Sequence, residues 1–301
     1  MTHVIHALEQ VCTLFLIMVL GYVGAKVNII SNDMRKRLCS LMLSITLPLQ
    51  ILSSFQFEYS QEILSGIGVI ALVCGAYMLV NFAVAGLMFR KSPEGRRPVL
   101  WYAASFGNVG FMGIPIMEGL LGDTGVIYAS IVVAVFNFLV WTVGIVIFTG
   151  KPKLKELLGN LCLWSVLVGL ALFLLKIRLP AVLAKTCSMM GAMTSPVAML
   201  VLGAVLAECR LKELFTDKSL YLVAAMRLLV FPAVIYGLVH LVAFPTDVAM
   251  CLVLINGMPP ATNTVIMATG YGGDEGLASR VVALGTLIYP VTAALWMTLI
   301  L

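Results

Sequence analysis

The chain has 301 residues, of which 61% are hydrophobic and 11% charged, with a formal net charge of +5 and a mean hydropathy of +1.06. A soluble domain carries about 25% charged residues, so this composition excludes an ordinary soluble fold and predicts an all-α polytopic membrane protein in a lipid bilayer. The basic residues fall almost entirely between apolar runs, where they act as topology signals, so nucleic acid is not an expected partner.

Crossing about 30 Å of hydrocarbon takes about 20 apolar residues. The apolar runs predict ten spans, at 7–25, 38–57, 63–89, 99–120, 124–149, 160–175, 182–207, 220–242, 248–270 and 276–301. The first run has no basic segment before it and no small-residue cleavage site, so it is expected to stay as a helix. Lys26, Arg35, Lys36, Arg37, Arg90, Lys91, Arg96, Arg97, Lys151, Lys153, Lys155, Arg210, Lys212, Lys218 and Arg280 follow odd-numbered spans, whereas only Lys176, Arg178 and Lys185 lie on the other face. That bias puts both termini outside. Trp101, Trp164 and Trp296 near span ends fit an aromatic belt, with core packing as the alternative. The seven cysteines show no metal-binding or redox spacing and read as small buried hydrophobes.

Two spans contradict themselves. Residues 105–117 gather Gly107, Asn108, Gly110, Gly113 and Pro115, and residues 256–263 gather Asn256, Gly257, Pro259, Pro260, Thr262 and Asn263. Proline removes a backbone donor and clashes one turn back, so the fourth and ninth helices are expected to break there. Broken backbone is tolerated at membrane depth only where protein or a water-filled cavity satisfies it.

The two halves also echo each other. Ile45-Thr-Leu-Pro48 resembles Met193-Thr-Ser-Pro196, and Gly122-Asp-Thr-Gly125 resembles Gly273-Asp-Glu-Gly276, at a similar interval of about 75 residues. Copies with an odd number of spans must lie inverted in the membrane, so residues 1–150 and 151–301 read as two inverted five-helix repeats whose broken helices cross.

At such a crossing, half-helix N-termini offer unpaired N–H groups and partial positive charge. Asn108 and Asn263 can donate from a neutral amide to a small carboxylate, with Asn256 and Thr262 as helpers; the alternative is that these amides satisfy frayed backbone. Arg227, the one charge well inside a span, reads either as a structural residue or one snorkelling toward the cytoplasmic face, or as a substrate or coupling charge. Asn81 and Asn137 read as interhelical hydrogen-bonding groups, and Asp123 and Asp274 as helix caps. His3 and His6 are terminal and His240 stands near a span end, so no metal site is expected. Neither a nucleophile elbow nor a metalloprotease helix nor a phosphate-binding loop occurs, and Gly272-Gly273-Asp274 lacks the partner carboxylate that proteolysis needs, so no enzyme is expected.

The strings Asn108-Val-Gly-Phe-Met-Gly-Ile-Pro115, Gly122-Asp123 with Tyr128, Pro259-Pro-Ala-Thr-Asn263, Ala268 and Tyr271-Gly-Gly-Asp274 resemble the auxin efflux carrier family, which holds plant auxin exporters and many bacterial permeases for malonate or malate. The resemblance covers essentially the whole chain. It implies a fold related to the bile acid sodium symporters, with scaffold helices at 7–57 and 160–207 and moving core helices at 63–149 and 220–301. It also implies a homodimer in a bacterial inner membrane, and an asparagine at Asn108, matched by Asn263, against the substrate carboxylate. The connection 150–159 is short where plant carriers have a long hydrophilic loop, which speaks against auxin and against regulation through that loop. The expected activity is alternating-access transport of a small organic anion without a cofactor, coupling to H+ or Na+ being open; the alternative is an ion channel or membrane sensor.

Overall fold

The computed structural model describes residues 2–56, 61–151, 161–208 and 216–300, with positions 155, 158, 159 and 214 between them. The expected span ends at Phe57, Asn160 and Leu301, the loop residues Lys153, Arg210 and Lys212, Cys209, and the side chains of His3 and His6 lie outside the described residues.

All regular structure among the described residues is helical. Helix α1 is Thr2–Lys26; α2 covers 32–54 through a π turn at Met42–Thr46; α3 is Gln61–Met88. Helix α4, Arg97–Ser105, is separated by a short extended stretch from α5, which runs from Val109 to a bend at Gly122. Helix α6 continues to Thr149 and α7 is Leu161–Leu174. Helix α8 covers 181–208, with an interruption at 192–193. Helix α9 is Lys218–Val242, α10 is Thr246–Asn256, α11 is Asn263–Tyr271 and α12 is Glu275–Ile300. Five stretches are long and apolar enough to cross a membrane: Ile63–Met88, Val109–Thr149, Ala181–Ala207, Lys218–Val242 and Glu275–Ile300. Their outer faces are apolar, with Val182 77% and Leu241 86% exposed, as lipid contact requires. The protein is a multi-pass membrane protein.

Helix ends follow local chemistry. Ser31 accepts from the Met34 amide and Asp274 from the Leu277 amide, each taking up an otherwise orphan donor of a first turn. Asp274 is the expected cap; Asp123 makes no such bond among the described residues. Helix α2 starts at Asn32, ahead of the expected 38, because its first turns are charged and solvent-facing, with Arg37 paired to Asp33 at 2.8 Å.

Prolines within helices reshape them without ending them. Pro48, Pro115 and Pro232 each stand at the start of an α segment just after a π turn, at Met42–Thr46, Val109–Gly113 and Met226–Val230. The wider turn makes room for the ring and for the missing amide. Pro232 has no N–H to return to Leu228 O, and the Trp296 indole donates there at 2.8 Å. Trp296 is therefore buried, and Trp101 packs on Phe82 while donating to its carbonyl. Both correct the aromatic-belt expectation, and Trp164, 48% exposed, is the tryptophan that keeps an outward position. Of the described cysteines, Cys74, Cys162, Cys187 and Cys251 are buried, Cys39 is partly so and Cys12 is exposed.

The helices sort into two packed sets. In one, α1 lies along the second part of α8, and α2 lies between α7 and the first part of α8. Lipid is as apolar as leucine, so close backbone approach and dispersion must hold such pairs. Gly21 faces Leu200 O and Gly203 faces Met18 O so closely that a Cβ would stand 2.2 and 1.9 Å from those oxygens. In the other set, α3 packs on α4 and α6, α9 on α12, and α10 and α11 on α12 and its neighbours.

Candidate functional site at the crossing of two broken helices

The two interrupted stretches meet. The Asn108 amide donates to Pro259 O at 2.8 Å and the Ala261 amide to Phe106 O at 3.0 Å, so Gly107 and Pro260 form an antiparallel bridge. Part of the backbone freed by each break is thus satisfied by the other, as burial favours. Gly107, Asn108, Gly257, Pro259, Pro260 and Thr262 occupy the crossing itself. Gly110, Gly113 and Pro115 do not: they belong to the helix that resumes after it, which corrects the expectation that Pro115 breaks the chain.

Around the crossing, α4 and α10 end while α5 and α11 begin. Asn108 closes a tight turn, with the Val109 amide donating to Gly107 O at 2.8 Å. Its side chain does not cap α5; Nδ2 donates across the crossing to Thr262 Oγ1 at 3.1 Å, with Asn108 3% and Thr262 4% exposed. The alternative in which Asn108 merely satisfies its own frayed backbone is therefore not what the structure shows. Asn263 is the first residue of α11, is partly exposed and makes no side-chain hydrogen bond among the described residues. The Thr262 and Asn263 amides have no backbone acceptor there either, as expected for the first turn of a helix.

A cavity of 430 Å³ opens on this point. Gly107, Asn108, Val109 and Gly110 form one wall and Ala261, Thr262, Asn263 and Met267 another; Val133, Phe136, Asn137 and Trp141 of α6 close the side, and Leu43, Ser44 and Leu47 of α2 with Leu161 and Cys162 of α7 face them. It therefore lies between the two helix sets. Among the described residues that line it none is ionisable apart from Cys162, and the first turns of both α5 and α11 border it, so two positive helix ends contribute to the field it receives.

Asn256 stands outside the cavity. Its amide donates to Leu252 O, one turn back on α10, and reaches Cys74 Sγ at 3.6 Å, so it ties α10 to α3, away from the cavity where the expected helper would stand. Arg227 is 2% exposed, which corrects the expectation of snorkelling. It points to the crossing, donating from Nε and Nη2 to Met258 O at 3.2 and 2.9 Å. Gly107 lets it in: a Cβ there would stand 2.0 Å from Nη2. Asn137 lines the cavity, although the sequence reading made it a structural group; its only signal was an amide within an apolar span. Asn81 is fully buried with neither amide atom partnered among the described residues, so the expected interhelical bond is not made.

A family model described as membrane transport protein matches residues 6–160 and 151–297. The chain is 23% identical to an uncharacterized transporter of Methanothermobacter thermautotrophicus over 96% of both chains, and 22% identical to the uncharacterized transporter YfdV of Escherichia coli K12 over 94% of both. A putative malonate transporter of Rhizobium meliloti is 25% identical over 70% of this chain and 69% of its own. Matched along nearly its whole length, with two broken helices joined where its motif residues lie, the chain belongs to the auxin efflux carrier family of membrane transport proteins.

Proposed function

We propose that this protein is a secondary transporter for a small organic anion, a mono- or dicarboxylate, bound at the crossing and moved by alternating access. The observation that carries the reading is the cavity at the junction of four half-helices, its lining without carboxylate or basic side chains among the described residues and bordered by two helix N-termini. A volume of 430 Å³ suits a ligand of that size, and converging N-termini favour a negative one. The name of the Rhizobium relative is in keeping with a carboxylate. Asn108 and Asn263 hold the carboxylate, Thr262 orients the Asn108 amide, and Asn137 is a further contact from α6.

The cavity lies between two helix sets, so the reading extends to a scaffold of α1, α2, α7 and α8 against which the remaining helices move as an elevator. Ten spans in two inverted repeats, a homodimer and a bacterial inner membrane with both termini on the periplasmic side complete it. In that orientation Trp141, Gly159 and Leu161 lie toward the cytoplasm, and the cavity they line is inward-facing.

Uptake of radiolabelled malonate and malate into proteoliposomes tests this. Saturable flux stimulated by unlabelled substrate on the far side is expected, and Asn108→Ala and Asn263→Ala are expected to abolish it without loss of expression or dimer. Large unsaturable currents would point to a channel, and wild-type flux in either variant would remove that residue from the site.

A further inference from the structure

We propose that Arg227 makes this site selective for anions through the backbone, without touching the ligand. The proposal rests on the carboxylate reading above and assigns the source of its charge preference.

Arg227 sits behind the cavity wall, absent from the lining while its guanidinium packs against Gly107, which is part of that lining. Arginine keeps its proton in proteins. Among the described residues no carboxylate is within ion-pair distance of it, and the one ionisable group acting on it is the Tyr77 phenol. Two of its donors are committed to Met258 O, just past the end of α10. That bond neutralises a negative helix end. Phe106 O and Pro259 O are likewise occupied, by Ala261 and Asn108 amides. Three carbonyls of the crossing are therefore occupied, whereas the first amides of α5 and α11 face the cavity. The balance is a net positive potential at a wall of uncharged groups. Opposite unit charges about 8 Å apart at an effective dielectric of about 20 attract by roughly thirtyfold in affinity, which sets the scale for a cation behind the wall.

Two probes separate this from a structural role: malonate and its uncharged diamide, malonamide, titrated calorimetrically into purified protein. The wild type is expected to prefer malonate by tenfold or more. Arg227→Gln should lose that preference, by weakening malonate alone, and Arg227→Lys should restore most of it. Equal weakening of both ligands in Arg227→Gln would make Arg227 a structural clamp and overturn the proposal. A wild type that binds neither probe, or malonamide as well as malonate, would overturn the carboxylate reading itself. Should Arg227→Gln fail to fold, Thr262→Cys in the otherwise native chain places a thiol on the cavity. Its alkylation rate is expected to titrate below the ordinary thiol value of about 8.5, and with Arg227→Lys to stay there. Titration above that value, as burial alone would give, refutes a cationic wall.

Discussion

Gly107→Ala probes the crossing most directly. The residue is not in a left-handed conformation, so the backbone tolerates alanine and the effect is steric. The new methyl would stand 2.0 Å from Arg227 Nη2, 3.0 Å from Cζ and 3.3 Å from Met258 Cβ. The guanidinium is the part that can give way, and giving way breaks its hydrogen bonds to Met258 O at 2.9 and 3.2 Å. Hydrogen bonds to a charged group contribute about 1.5–3 kcal/mol, which for a chain of this size lowers the apparent melting temperature by roughly 3–6 °C. On an Arg227→Met background the clash is gone and only the looser Met258 contact remains, so Gly107→Ala should cost less than about 0.5 kcal/mol there. The assay is a double-mutant cycle by thermal unfolding of purified protein. Independent sites add to within about 0.5 kcal/mol, so an equal cost of Gly107→Ala on both backgrounds would refute the claim that Gly107 is glycine because of Arg227.

Three further outcomes are expected. Asn81→Leu should leave thermal stability unchanged or raise it, because an apolar side chain of similar size replaces two buried unpartnered amide atoms; a clear drop in melting temperature would reveal a partner for Asn81. Asn256→Ala should lower stability by about 1 kcal/mol through its bond to Leu252 O while carboxylate binding, read by calorimetry, stays as in the wild type; weakened binding would bring Asn256 back to the site. At the N-terminus of α9, partial burial opposes the Asp217 charge but is outweighed by the Ser219 hydroxyl and amide and by Arg96, which together hold its carboxyl below the usual range. A depressed folded-state value means the stabilisation is complete above the unfolded-state value near 3.9 and is lost as pH falls through the folded one. Asp217→Asn should therefore destabilise at neutral pH, with the difference from the wild type vanishing in strong acid; a difference that grows on acidification would contradict the assignment.

The apolar runs in the sequence reflect hydropathy, a balance between one residue and its solvent, and at most ends the observed helices start or stop within a few residues of them, five being long and apolar enough to cross a membrane. Helix α2 began earlier than expected because its first turn lies in water, where hydropathy gives no signal and a Ser31 cap decides. Proline was a weaker guide. Pro259 and Pro260 do mark a break, but Pro48, Pro115 and Pro232 are absorbed by π turns, and the first break falls at 106–108, where glycine and asparagine let the chain extend.

The stretch around Asn108 and the stretch ending at Asn263 were identifiable from the sequence alone, since glycine, proline and amide side chains at membrane depth have few other uses. Their meeting was not. Asn108 and Asn256 are the same residue type beside equivalent breaks, yet one lies at the cavity and the other ties α10 to α3. Arg227 is nine residues inside its span, far enough to snorkel or to turn inward, and only the space left by Gly107 decides which. Composition and pattern determined that this chain is a membrane protein with two broken helices, because those properties belong to residues one at a time. Which breaks pair, which amide faces the cavity and where the buried charge points depend on the rotation of each helix about its axis, and that is set by packing between helices.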